Sequence, residues 1–95
     1  MTTERKLATI LATDCVNFSK HMEENEELTL SNLNECRKII DEIIAKFDGK
    51  IFSTAGDSVV AEFASPVQCV KAAIEFQDKL YERNEHSLTK LQLSW

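Results

Sequence analysis

Apolar positions change their period several times along the chain, and the order of those changes predicts the fold. Residues 7–12, Leu-Ala-Thr-Ile-Leu-Ala, are almost continuously apolar, which predicts a strand buried on both sides and therefore central in its sheet. Asp14 follows that run, and Asn17-Phe18-Ser19 opens a short helical piece. The acidic stretch Glu23-Glu24-Asn25-Glu26-Glu27 reads as a solvated loop. Over residues 29–47, Leu33, Cys36, Ile40, Ile43, Ile44 and Phe47 recur at helical spacing and predict an amphipathic helix. Asp48-Gly49 is expected to end it, with the glycine in the left-handed cap conformation.

Residues 50–54 and 58–63 are β-prone runs around Ala55-Gly56-Asp57, a connection short enough for a hairpin. Ser65-Pro66-Val67-Gln68 then combines a capping serine, a proline at the first helical position and a capping-box glutamine. Val67, Val70, Ala73, Ile74, Leu80 and Tyr81 are assigned to the core face of that helix, and Asn84 to its end. Leu91, Leu93 and Trp95 alternate with polar residues and predict a last strand. The order is β-α-β-β-α-β with a small extra helix after the first strand. Right-handed crossovers and an antiparallel hairpin make this an α+β, ferredoxin-like sandwich, an antiparallel sheet with both long helices on one face. The first strand is expected between the third and the fourth.

Composition fits a single domain over residues 1–95, 43% hydrophobic and 28% charged, with a net charge of −5. Without a basic cluster, the chain is not expected to bind nucleic acid or an anionic membrane surface. Its longest apolar run is strand-sized, so no membrane insertion is expected, and the polar N-terminus carries no export stretch. Cys15, Cys36 and Cys69 are odd in number, widely spaced and free of any CxxC pairing, as in reduced thiols of a cytoplasmic protein.

Chemistry enters where topology brings two acids together. With the first and third strands antiparallel neighbours, Asp14 lies just past the end of one and Asp57 just before the start of the other. Two close carboxylates repel unless a cation or a proton intervenes, and two oxygen ligands completed by waters and phosphates suit Mg²⁺. At the turn from strand into helix, the backbone N–H groups of Asn17, Phe18 and Ser19, with the Ser19 hydroxyl, could hold phosphate oxygens. The alternative at this point is that Asp14 caps the short helix and Asp57 is a turn residue.

Two segments carry a family likeness. Leu7-Ala-Thr-Ile-Leu-Ala-Thr-Asp14-Cys-Val-Asn-Phe-Ser-Lys20 resembles the opening strand and loop of the class III adenylate/guanylate cyclases. Gly49-Lys-Ile-Phe-Ser-Thr-Ala-Gly-Asp57-Ser-Val-Val-Ala-Glu-Phe63 is similar to their second-strand hairpin, and the spacing to Ser65-Pro66 also matches. The likeness runs from Arg5 to about Asn84. It implies a truncated nucleotidyl cyclase fold, the N-terminal half of a domain that turns ATP or GTP into a cyclic nucleotide and diphosphate. It implies Mg²⁺ or Mn²⁺ in a two-metal site held by Asp14, Asp57 and the carbonyl of Cys15, with phosphate held at Asn17, Phe18 and Ser19. The family usually has glycine where Asn17 stands, and a base-contacting lysine where Ser53 stands. Its second half supplies a further base-reading residue and the Asn/Arg pair that steadies the transition state. Residues 1–95 therefore hold no catalytic group beyond the metal ligands and are expected to be inactive alone. The expected partner is a second copy or a complementary cyclase half, with Leu91, Leu93 and Trp95 as candidates for strand exchange. A non-catalytic dimerisation or regulatory module is the alternative. Other nucleotidyl transferases of this topology rank last, because Ala55-Gly56-Asp57-Ser58 lacks their Gly-Gly-Asp/Glu-Glu-Phe hairpin.

Overall fold

A computed structural model describes residues 7–86 and 91–95. The polar N-terminus and the start of the family likeness at Arg5 lie outside the described residues. The elements are β1 (Thr9–Thr13), α1 (Phe18–Glu24), α2 (Glu26–Lys46), β2 (Lys50–Ala55), β3 (Ser58–Phe63) and α3 (Pro66–Glu85). The sheet has the order β1-β3-β2 with both pairings antiparallel. The expected α+β architecture is thus present. Leu11, Val59, Ala61 and Phe63 form the buried sheet face, against which α2 and α3 pack. Among the described residues no helix is long and apolar enough to cross a membrane.

The α2 stripe is as expected: Leu33, Cys36, Ile40, Ile43 and Ile44 are buried and Phe47 packs against them. Its ends differ from expectation in instructive ways. The acidic stretch is a helix–helix junction, in which only Asn25 separates α1 from α2. The Asn25 side chain accepts from Leu28 N–H, and Glu26 and Glu27 sit where the helix dipole favours anions. At the other end it is Asp48, at φ 62°, that takes the left-handed position. Asp48 N–H donates to Ala45 O and Gly49 N–H to Ile44 O, which is a Schellman closure. Gly49 serves close packing instead. A Cβ there would lie 2.5 Å from the Phe63 ring and 2.7 Å from Ile44.

The core face of α3 also needs correction. The Ser65 cap forms, accepting from Gln68 N–H, but the buried residues are Cys69, Ala72, Phe76 and Leu80. Of the stripe assigned to the core, Val67, Val70, Ile74 and Tyr81 are exposed, Tyr81 by 67%. Two apolar stripes at helical spacing share this helix, and the sheet takes the one with smaller residues beside Phe76.

The largest difference concerns the expected fourth strand. Residues 91–95 have no regular secondary structure, and among the described residues β1 pairs only with β3, at the edge of the sheet. Hence β1 is not buried on both sides: Leu11 faces the core, whereas Ile10 is 53% exposed on the opposite face. The backbone acceptors of 91–95 are taken by side chains of α3 instead of by a strand. Arg83 donates to Leu91 O, Asn84 to Leu93 O and Gln77 to Trp95 O. Leu93 is fully buried, with Leu91 and Trp95 packed beside it, so within one chain these three join its own core.

Candidate functional site

The register of the sheet places Asp57 beside the segment that carries Asp14. Thr13 pairs with Val59, the last pairing in β1, so the backbone beyond Thr13 runs beside the β2–β3 turn. Gly56 provides the positive φ, 59°, that this tight turn requires. Asp57 then leaves the turn with its carboxylate toward the end of β1, where its Oδ2 accepts the Cys15 N–H at 2.8 Å. That bond ties Asp57 to the residue next to Asp14. It is a bond between residues distant in sequence, and it holds the carboxylate of Asp57 in one place. Asp57 is half-buried and Asp14 is exposed. Asp14 and Ser58 line a cavity of about 150 Å³ with Ala12, Thr13, Val59 and Val60.

Between the two acids, Cys15 is buried, and its thiol is pushed up to about 11 by that burial first, then by the negative charges of Asp57, Cys36 and Asp14. At neutral pH the sulfur therefore stays protonated and is a poor metal ligand, since thiolate is the binding form. What the segment offers a cation is oxygen: two carboxylates and the main-chain carbonyl of Cys15. Among the described residues no group of three or more His, Cys, Asp or Glu side chains is placed to hold a metal. Two carboxylates do not make a closed cage for a resident transition metal. They do fit a hard cation that keeps waters and shares phosphate oxygens with its substrate.

Beyond Cys15 the chain turns sharply. Asn17 adopts φ 57° and ψ 33°, the left-handed region, and its side chain does not cap α1. Asparagine is among the few residues other than glycine that enter this region readily. The turn starts α1 at Phe18, with Ser19 exposed and Phe18 packed partly against the core. Asn17, Phe18 and Ser19 thus form the turn and first helical residues that follow Asp14 and Cys15.

Ser53 is exposed and lies on the open face of the sheet. It pairs with Val60, which pairs in turn with Ala12, so a row across the sheet leads from Ser53 to the cavity beside Asp14. A bulge at Phe52 shifts the register between Ile51 and Ser53. Sequence reasoning missed one support of the site: Val16 N–H donates to Ser94 O at 2.8 Å. A main-chain acceptor leaves no mark in the residue types that could have revealed it.

No family model matches the chain. It is 33% identical over 81 residues to "Putative adenylate cyclase 3" of Rhizobium meliloti (strain 1021), an alignment covering 84% of this chain and 14% of that protein. The adenylate/guanylate cyclase/hydrolase from Silicibacter pomeroyi matches at a TM-score of 0.75 and 31% identity, over 90% of this chain and 50% of that one. The guanylyl cyclase Cya2 matches at a TM-score of 0.78 and 26% identity, over 90% and 49%. The chain spans about half the length of these structures and a small fraction of the curated relative. In sequence and in fold, this chain matches the catalytic domains of the class III adenylate/guanylate cyclases.

Proposed function

We propose that residues 1–95 supply the metal-and-triphosphate half of a class III nucleotidyl cyclase site, the N-terminal half of such a domain. The observation that carries this reading is the Cys15 N–H···Oδ2 Asp57 hydrogen bond of 2.8 Å, which fixes one acid beside the strand end that carries the other. In this reading Asp14, Asp57 and the Cys15 carbonyl hold Mg²⁺ or Mn²⁺, in a site that takes two such ions. Bound there, the metal would draw in the phosphates of ATP or GTP and lower the pKa of the attacking hydroxyl. The chain's own contribution is to orient three oxygen donors and to present the backbone of Asn17, Phe18 and Ser19 to the phosphates. Ser53 is too short to reach a base as a lysine would, so the purine is read by groups outside this row.

Cyclisation also needs donors and cations at the transition state, and each such group contributes about 3–4 kcal/mol. The family's Asn/Arg pair has no counterpart among the positions of this chain that match the family. A homodimer would duplicate the metal ligands without supplying that pair, whereas a complementary cyclase half would supply it. In this reading a second cyclase segment completes the site, in the cytoplasm, where three buried free thiols persist.

A second reading, a non-catalytic pairing module, is favoured by one observation: the large apolar side chains of Ile10 and Phe52 on the sheet are each more than half exposed. Metal-dependent nucleotide binding separates the two. Titrating Mn²⁺ with and without ATP into the wild type and Asp57→Asn should show binding that ATP tightens and the substitution weakens. Equal affinities in the two proteins would remove the cyclase reading and leave the module.

A further inference from the structure

We propose that Asn84 is a positioning residue for the Asp14–Asp57 pair, acting through the extended segment 91–95. The inference rests on the metal site proposed above and names a residue of α3 that supports it.

The segment is held like a strand whose neighbour has been replaced by side chains. Its alternate carbonyls, Leu91 O, Leu93 O and Trp95 O, accept from Arg83 Nη1 at 2.8 Å, Asn84 Nδ2 at 3.0 Å and Gln77 Nε2 at 2.9 Å. The intervening Ser94 carbonyl accepts Val16 N–H at 2.8 Å. One residue earlier, Cys15 N–H donates to Asp57 at 2.8 Å. A continuous path of hydrogen bonds and short backbone steps thus links α3 to the acidic pair.

Asn84 is the central member of the path. Its Oδ1 accepts from Arg83 Nη1 at 2.8 Å, which leaves the amide NH₂ aimed at Leu93 O, and its own carbonyl accepts from Gln92 Nε2 at 2.9 Å. Arg83 is itself anchored on α2, with Nη2 donating to the buried Asn32 and Nε 3.5 Å from Glu35. The Leu93 side chain is wholly buried, so the segment cannot shift without opening the core. Groups hydrogen-bonded directly to metal ligands change affinity by about 10–100-fold when removed, and Asn84, acting several bonds farther out, is placed at the lower end of that range.

Asn84→Asp isolates the donor, since the carboxylate keeps the shape and faces Arg83 but has no N–H for Leu93 O. Two readouts on the 95-residue chain, taken well below its unfolding midpoint, test the idea: amide hydrogen exchange by NMR, and Mn²⁺ affinity by electron paramagnetic resonance with Mn²⁺ alone. The expected result is roughly tenfold faster exchange at Val16 and Cys15, unchanged protection at Ile44 and Val59, and about tenfold weaker Mn²⁺ binding. Gln77→Ala, which removes a neighbouring tether, should give the same pattern more weakly and stands in should Asn84→Asp not fold. Wild-type protection at Val16 and Cys15, or an equal loss at every amide, would overturn the proposal. Asp57→Asn separates the failures. If it weakens Mn²⁺ binding and Asn84→Asp does not, the positioning role is wrong. If it leaves Mn²⁺ binding unchanged, the metal reading falls and takes this proposal with it.

Discussion

Asn17 shows how a single backbone angle constrains residue choice. At φ 57° an ordinary L-residue is strained by about 1–2 kcal/mol, while glycine is not and asparagine is less so. Asn17→Gly, the residue the family likeness suggests, should leave stability within about 0.5 kcal/mol of wild type. Asn17→Ala should cost about 1 kcal/mol in urea unfolding, and equal stability of all three proteins would contradict the strained turn. Cys15 gives a pH prediction at the same scale. Its folded pKa, raised to about 11 from 9.0, means the folded state keeps a proton that the unfolded chain releases. The associated stability is complete below about pH 9 and is lost as pH rises from about 9 to about 11. Stability measured against pH should therefore fall more steeply over that window in the wild type than in Cys15→Ala; parallel curves would show that the thiol is not held protonated.

Among the elements, most of the fold was legible because caps and periods agree. Ser65 and the α2 stripe each leave a local mark, and the hairpin at Gly56 follows from its length and glycine, whereas the cap at Asn25 is hidden in an acidic run that reads as loop. The failures have specific physical causes. The apolar run of β1 is compatible with a central strand or with an edge strand whose outer face is bare, and periodicity does not distinguish them. On α3 the two competing stripes differ in what the sheet can accommodate, which only the packing decides. At 91–95 the alternation is real, with Leu93 buried and its neighbours less so, yet hydrogen bonding went to Arg83, Asn84 and Gln77. Gly49 illustrates a correct residue with the wrong reason attached, since Asp48 takes the positive φ and Gly49 makes room for Phe63. Gly49→Ala should destabilise the chain by about 1–3 kcal/mol through overpacking. Pairing it with Phe63→Leu should recover part of that loss, and strict additivity of the two would argue against the contact.

At the scale of the whole molecule, the approach of Asp57 to the residue after Asp14 follows from strand order, because antiparallel neighbours bring the end of one strand to the start of the next. What strand order could not show was the support behind it, the chain of bonds from α3 through Ser94. The same scale sets the limit on chemistry. A chain spanning about half of its structural relatives carries, in the proposed reading, only the metal and phosphate side of the site. Residues 1–95 alone should therefore form no cyclic AMP or cyclic GMP with Mn²⁺ and either triphosphate, and Ser53→Lys should not rescue turnover. Loss of two transition-state groups costs several orders of magnitude in rate. Robust turnover by this chain would show that the missing groups are present after all.

The central claim is that Asp14 and Asp57 act as one site, and a double-mutant cycle on Mn²⁺–ATP binding tests it most directly. Asp14→Asn and Asp57→Asn should each weaken binding by roughly tenfold or more, since even outer-shell changes at metal sites reach that size. If both acids serve the same site, the double variant should be little worse than either single one, because the second substitution removes a partner from a site already lost. Losses that simply multiply, or affinities indistinguishable from wild type, would contradict a shared metal–nucleotide site at the end of β1.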